Sequence, residues 1–244
     1  MSRVVLLLPQ SRLVYLANPK TATQSIRVLR PLSLQSPPFG ELHSRHMPYP
    51  GFDKNWRARV EAAAGGPVEV FAVVREPFAR LESWFRYRHK NPEGAANSTR
   101  GISFDRFAQE AVALDEAPDY ARVGDQARFC GWDGARAGIT HLFDYDRMDL
   151  LLGFLEQRLG RRFDLPQHNV SPTRAALAVS GLSEKAEAAY RASRPGEFAL
   201  WEAVSPRPHP GRAGGFPPPK RRVPRLSPRG YLSKGDGGVS SSGR

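Results

Sequence analysis

The sequence predicts an α/β fold, a central and mainly parallel sheet flanked by helices. Three observations predict it. Segments of strand pattern alternate with segments of helix pattern along residues 1–204. The clearest strand, VEVFAVV at 68–74, is a nearly continuous apolar run, as a strand buried on both faces requires. Two of the strands run directly into a polar, cation-bearing segment that opens a helix, the order of elements in βα units.

Leu13 to Ala17 (LVYLA) reads as a short buried strand that runs into Asn18-Pro19. Thr21 to Leu32 then has a helical pattern, with Ile26, Val28 and Leu29 on its apolar side. The strand Val68 to Val74 is β-branched throughout most of its length. Pro77 suits the first turn of a helix, which Phe78 to Lys90 continues with Leu81, Trp84 and Phe85 on one side. Ser103 is placed as an N-cap before Phe104, Phe107, Ala108, Ala111 and Val112, which recur at i, i+3, i+4, i+7 and i+8. Ile139 to Phe143 is read as a third strand. Asp149 to Leu159 is a helix stopped by Gly160, and Ser183 to Ala192 is another.

The 244 residues carry 36 Lys+Arg against 24 Asp+Glu, a net charge of +12 that by itself suggests a polyanionic partner. Its distribution is uneven. Residues 205–244 hold eight Pro, eight Gly, nine basic residues and one acid, Asp236, so they contribute a net +8. Such a segment buries too little apolar surface to offset its ordering entropy and is expected to be a disordered basic tail. The remaining 204 residues then carry a net +4 and form one domain. A single cysteine, Cys130, excludes an intrachain disulfide framework and a Cys-rich zinc module. The apolar run Val4 to Leu8 is too short for a signal-peptide core, and no run approaches the ~20 residues that span a bilayer. The expected location is cytoplasmic, without stable membrane insertion.

Two segments carry chemistry. The first is Pro19-Lys20-Thr21-Ala22-Thr23-Gln24-Ser25, between a strand and a helix. Helix-opening N–H groups, the Lys20 ammonium and the hydroxyls of Thr21, Thr23 and Ser25 together suit an anion. The segment is not a Walker loop, because the lysine precedes the small residues and no glycine precedes the lysine. Taken alone, it reads equally well as a polar helix cap. The second is REPFARLES, Arg75 to Ser83. An arginine where a strand ends and a serine two turns into the following helix can converge on one anion at the head of a sheet. Each alone has an ordinary structural reading, Arg75 as an ion pair and Ser83 as a solvated residue. Together they supply two anion sites at two strand ends, suited to a nucleotide phosphorylated at both ends.

In these residues the chain resembles the sulfotransferases that use 3′-phosphoadenosine-5′-phosphosulfate (PAPS), in particular the carbohydrate and bacterial branch. That family has a loop of the form PKxGxTS, here PKTATQS, and a motif RxPxxRxxS, here Arg75 to Ser83. Weaker echoes are Val123-Gly124-Asp125-Gln126, His168-Asn169-Val170-Ser171-Pro172 against HVNxSP, and Phe198-Ala199-Leu200-Trp201. The resemblance covers roughly residues 4–204. It departs at Ala22, where the family has glycine, and at Gln24, where it has Thr or Ser. Alanine serves in the loop if its φ is negative.

The resemblance implies a P-loop-like three-layer fold. It implies in-line transfer of a sulfuryl group from PAPS to an acceptor hydroxyl, with 3′-phosphoadenosine-5′-phosphate (PAP) as product and no metal. Lys20 to Ser25 would hold the 5′-phosphosulfate, and Arg75 with Ser83 the 3′-phosphate. Lys20 also stabilises the leaving group. A general base between the two motifs falls to His46, with His43 as the alternative. Arg80 is read as an aid to the 3′-phosphate in preference to a solvent-facing residue, whereas Trp84, Phe85 and Cys130 read as packing. The acceptor is expected to be a glycan or glycolipid. Phe39, Tyr49, Phe52, Trp56 and Tyr120 are either sugar-stacking or packing residues. The alternatives are a P-loop-related kinase, and a basic nucleic-acid-binding protein acting non-specifically through Lys220-Arg221-Arg222 of the tail.

Overall fold

A computed structural model of the protein describes residues 5–34, 46–163 and 181–205. Apart from Ser205, the segment expected to be a disordered tail lies outside the described residues. Four strands form one mixed sheet in the order β1 (Val5–Leu8), β2 (Leu13–Leu16), β3 (Glu69–Val74), β4 (His141–Asp144). β2, β3 and β4 run parallel, with Leu13 opposite Glu69 and Val74 opposite Asp144. β1 is antiparallel to β2, joined by a 3₁₀ turn at Pro9–Ser11. The sequence reading had no strand at β1; its four residues are all buried and close the sheet beside β2.

Alternation along the strands sends successive side chains to opposite faces. Val14, Leu16, Val70, Ala72 and Val74 face a core closed by α2 (Tyr49–Asn55), α3 (Arg57–Ala64), α6 (Gln126–Cys130) and α9 (Pro195–Val204). Leu13, Tyr15, Phe71 and Val73 face the other, closed by α1 (Thr23–Ile26) with the 3₁₀ segment Arg27–Leu32, and by α7 (Met148–Leu159). Helices thus cover both faces, and the chain has an α/β fold. A third apolar cluster joins α4 (Pro77–Arg88), α5 (Phe104–Ala111), α8 (Glu184–Ser193) and α9.

The local signals act as the sequence implies. Pro77 opens α4, where the Glu76 carboxylate accepts from the Ala79 N–H at 2.6 Å. Ser103 and Ser183 accept from the Arg106 and Ala186 N–H groups, and Gly160 ends α7 at φ +65°. The predicted helix Thr21 to Leu32 is different. It has one α turn followed by a 3₁₀ segment that contains Pro31. Proline has no N–H to continue an i−4 ladder, so the helix tightens and ends.

The described aromatics whose role the sequence leaves open all pack against apolar clusters, Phe52 completely and Tyr49, Trp56 and Tyr120 in part. The Tyr49 ring lies over Gly138, where a Cβ would run into it. Phe39 lies outside the described residues. Cys130 is fully buried, as expected. Among the described residues no helix is long and apolar enough to cross a membrane.

Candidate anion site at the strand ends

Parallel pairing brings the C-terminal ends of β2, β3 and β4 to one edge of the sheet. The segments beginning at Ala17, Arg75 and Tyr145 leave from that edge, the usual ligand position in open α/β sheets. One buried amide ties them together. Gln126 accepts from the Asn18 side chain and from the Arg75 N–H, both at 3.0 Å, and donates to the Arg75 carbonyl at 2.8 Å. Asn18 also donates to the Val73 carbonyl at 3.0 Å.

The loop after β2 is tightly wound. Lys20 has φ +70° and Ala22 has φ +59°. The condition under which alanine replaces glycine without penalty, a negative φ, is therefore not met. A left-handed conformation costs a non-glycine residue about 1–2 kcal/mol. The hydroxyls of Thr21 and Thr23 turn inward and donate to the Asn18 carbonyl at 2.8 and 3.3 Å. Thr21 is fully buried, so its side chain braces the loop and is not an outward donor. Ser25 is nearly buried and Gln24 is exposed.

Two cations stand at this edge with no ion-pair partner among the described residues. The Lys20 ammonium lies 4.1 Å from the Tyr87 ring centroid and 5.7 Å from that of Trp84. The Arg75 guanidinium lies 4.4 Å from the Tyr145 ring, and its Nε is buried with no hydrogen-bond partner. Among the described residues no carboxylate comes within 4.0 Å of either cation. Burial, followed by the positive charges of Arg75, Lys90, Arg80 and Arg88, lowers the Lys20 pKa from 10.5 to about 8. Burial also lowers that of Arg75, against the pull of Tyr145, Asp146, Glu82 and Glu76. A site that disfavours its own cations favours an arriving anion.

His46 is brought to the same edge. Its Nδ1 lies 2.7 Å from the carbonyl of Ala17, the residue that leads into the loop. A carbonyl only accepts, so Nδ1 carries the proton and Nε2 is the basic nitrogen of the ring. Ser83 is half-buried in the second turn of α4, with no side-chain hydrogen bond among the described residues. His141 belongs to the opposite end of the sheet, where it meets Glu69. His43 and the segment His168 to Pro172 lie outside the described residues.

Arg80 neither lines the site nor faces solvent, so the expected phosphate role is corrected. It is 1 % exposed and donates to Glu197 at 2.9 Å and to the Val123 carbonyl at 3.0 Å. A longer contact of 3.4 Å reaches the Pro19 carbonyl, so Arg80 braces the loop from below. Trp84, read as packing, also faces both Lys20 and Arg88. Tyr145, Asn18 and Glu197 were missed. For Tyr145 the available signal was its place just after the third strand; for Glu197 it was a lone acid among the apolar residues of PGEFALW. Among the described residues no three His, Cys, Asp or Glu side chains group closely enough to hold a metal ion. No family model matches the chain, and no curated protein and no solved structure matches it.

Proposed function

We propose that the chain is a PAPS-dependent sulfotransferase of P-loop-like architecture, acting on a hydroxyl of a glycan or glycolipid. The observation that carries this reading is the pair Lys20 and Arg75. They are two buried-side cations on neighbouring parallel strand ends, held by aromatic rings with no carboxylate partner. The donor set fits a nucleotide phosphorylated at both ends. Arg75 has an orphaned Nε and a fork suited to the 3′-phosphate, with Ser83 on the following helix. Lys20 and the loop N–H groups face the 5′ end.

Bound there, PAPS supplies the sulfuryl group, and PAP leaves with the electron pair of the broken S–O bond. Lys20 provides positive charge for the oxygen on which negative charge develops, in a partly buried site where that charge is weakly screened. His46, held by Ala17 in the tautomer with a basic Nε2, takes the proton from the acceptor hydroxyl. Tyr145 and Gln126 keep Arg75 aimed.

Isothermal titration of the full chain with PAP tests the reading. Wild type is expected to bind. Lys20→Ala and Arg75→Ala should each weaken binding about tenfold to a hundredfold, the range for a charge-assisted hydrogen bond. Absent binding in the wild type, or unchanged binding in both variants, defeats the proposal. His46→Ala should retain PAP binding and lose sulfuryl transfer; unchanged turnover removes His46 as the base.

A further inference from the structure

A second cationic position lies next to the site and has no role in the reading above. Arg88, at the end of α4, is only 9 % exposed, yet its charge is held by neutral groups. It donates to the Tyr120 carbonyl at 2.6 Å and to the Arg122 carbonyl at 2.5 Å, and its guanidinium lies 4.7 Å from the Trp84 ring. Among the described residues it has no carboxylate within 4.0 Å. Burial lowers its pKa to about 10, so it stays charged at neutral pH.

Arg88 opens onto a depression of about 520 Å³ that it lines with Ala96, Asn97, Asp119 and Arg122. The depression is shallow and open to solvent, so a ligand there is held by its charged and polar groups rather than by enclosure. Arg88 itself is close to the strand-end site, because the Trp84 ring that it faces is also faced by Lys20. Arg88 is among the charges that lower the Lys20 pKa.

The lining defines the ligand. Two guanidiniums against the Asp119 carboxylate leave one net positive charge, which matches a monoanion better than a phosphate dianion. Arg122 pairs with Asp119 at 3.1 Å, and both side chains are half exposed, so an incoming carboxylate can share Arg122. Asn97 is exposed, and its amide with the Asp119 oxygens offers a donor and acceptors for hydroxyl groups.

We propose that this depression is the acceptor subsite and that it takes a sugar bearing a carboxylate, with the carboxylate on Arg88 and Arg122 and ring hydroxyls on Asn97 and Asp119. The word acceptor rests on the sulfotransferase reading; the binding site does not.

The test uses two probes that differ only at C6, methyl β-glucuronide and methyl β-glucoside, titrated into the full chain and followed by saturation-transfer NMR. The glucuronide should bind and the glucoside should bind at least about tenfold more weakly, as loss of a charged hydrogen bond implies. Arg122→Ala, a half-exposed side chain, should weaken the glucuronide about fivefold or more without changing PAP affinity. Arg88→Lys should weaken it further; if that variant does not fold, Arg122→Ala decides. Equal binding of the two sugars, or an Arg122→Ala variant that binds the glucuronide as wild type does, overturns the proposal. Displacement of the glucuronide by acetate at equal concentration overturns its sugar half. PAP titration separates the two readings. PAP binding without glucuronide binding removes only the subsite, and glucuronide binding without PAP binding removes only the sulfotransferase.

Discussion

Arg75 and Arg80 stand five residues apart in one motif, and the fold treats them in opposite ways. Arg80 belongs to a buried network. It meets Glu197, which also lies 3.6 Å from Arg194, and Arg194 donates to the Gly124 and Ala111 carbonyls at 2.8 and 2.9 Å. Burial pushes the Glu197 carboxyl up, against the pull of Arg80 and Arg194. Arg75 at the strand end meets the Tyr145 ring, as Lys20 meets those of Tyr87 and Trp84, and among the described residues neither has a carboxylate within 4.0 Å. The network joins α4 and α9 to the segment around Gly124 and so positions the Gln126 amide. The strand end receives two positioned cations with no carboxylate in direct contact among the described residues. The difference separates charge that holds the fold from charge available to a ligand, although composition counts them alike.

The largest expected effect is on the network side. Arg80→Ala leaves Glu197 buried without its closest partner and should cost about 3–5 kcal/mol of unfolding free energy in a denaturant titration. The double replacement Arg80→Met with Glu197→Leu should recover most of that, because well-packed apolar residues often replace a buried pair at little loss. If Arg80→Ala costs less than about 1 kcal/mol, the typical value for an exposed pair, the contrast with Arg75 collapses.

On the strand-end side the sign differs. Lys20→Met keeps most of the stem and removes a charge that burial disfavours, so thermal stability should be unchanged or raised while PAP affinity falls. A drop in stability would show that Lys20 is structural. In the loop itself, Ala22→Gly relieves about 1–2 kcal/mol of left-handed strain against about 0.5–1 kcal/mol of added chain entropy in the unfolded state. The expected net gain is about 0–1.5 kcal/mol, read from the denaturation midpoint, together with tighter PAP binding.

The smallest effect is in protons. The folded-state pKa of Lys20 is lowered to about 8 from 10.5, so between these values the unfolded chain binds more protons. Its contribution therefore raises stability as pH increases from 8 to 10.5, and protonated Lys20 opposes folding below that window. An anion bound at Lys20 reverses the shift. Titration with PAP at pH 8, repeated in buffers of different ionisation enthalpy, should show uptake of up to about half a proton per site, absent in Lys20→Met. Proton release in wild type would place the anion elsewhere.

Much of the scaffold was legible because its signals are local. Ser103 and Ser183 cap helices through their own hydroxyls, Pro77 and Gly160 mark ends through backbone constraints, and Val68 to Val74 is apolar enough to be a buried strand in any context. β1 was not legible, since four apolar residues have no period of their own and become a strand only by pairing with β2. The helices α2, α3, α6 and α9 were also missed, being short or apolar in ways that packing decides. At the candidate site, Lys20 and Arg75 were legible as residue types at motif spacing, and His46 only through the family resemblance. The inward turn of the Thr21 hydroxyl and the positive φ of Ala22 were not, because both follow from how the loop closes on Asn18.

The sequence by itself determined an α/β order of elements, the concentration of two thirds of the net charge in the last 40 residues, and two polar segments at strand ends. These are properties of neighbours along the chain, set by side-chain periodicity and backbone constraint. Only the tertiary structure decided that Arg80 is neutralised by a glutamate 117 positions away while Arg75 is not. It alone placed Tyr145 beneath Arg75, made Gln126 the tie between two strands, and set Arg88 against the same Trp84 ring as Lys20. The physical reason is that burial and counter-charge are long-range quantities. Whether a cation is a brace or a binding group depends on which acids and rings the fold brings within a few ångströms, and a motif does not contain that information.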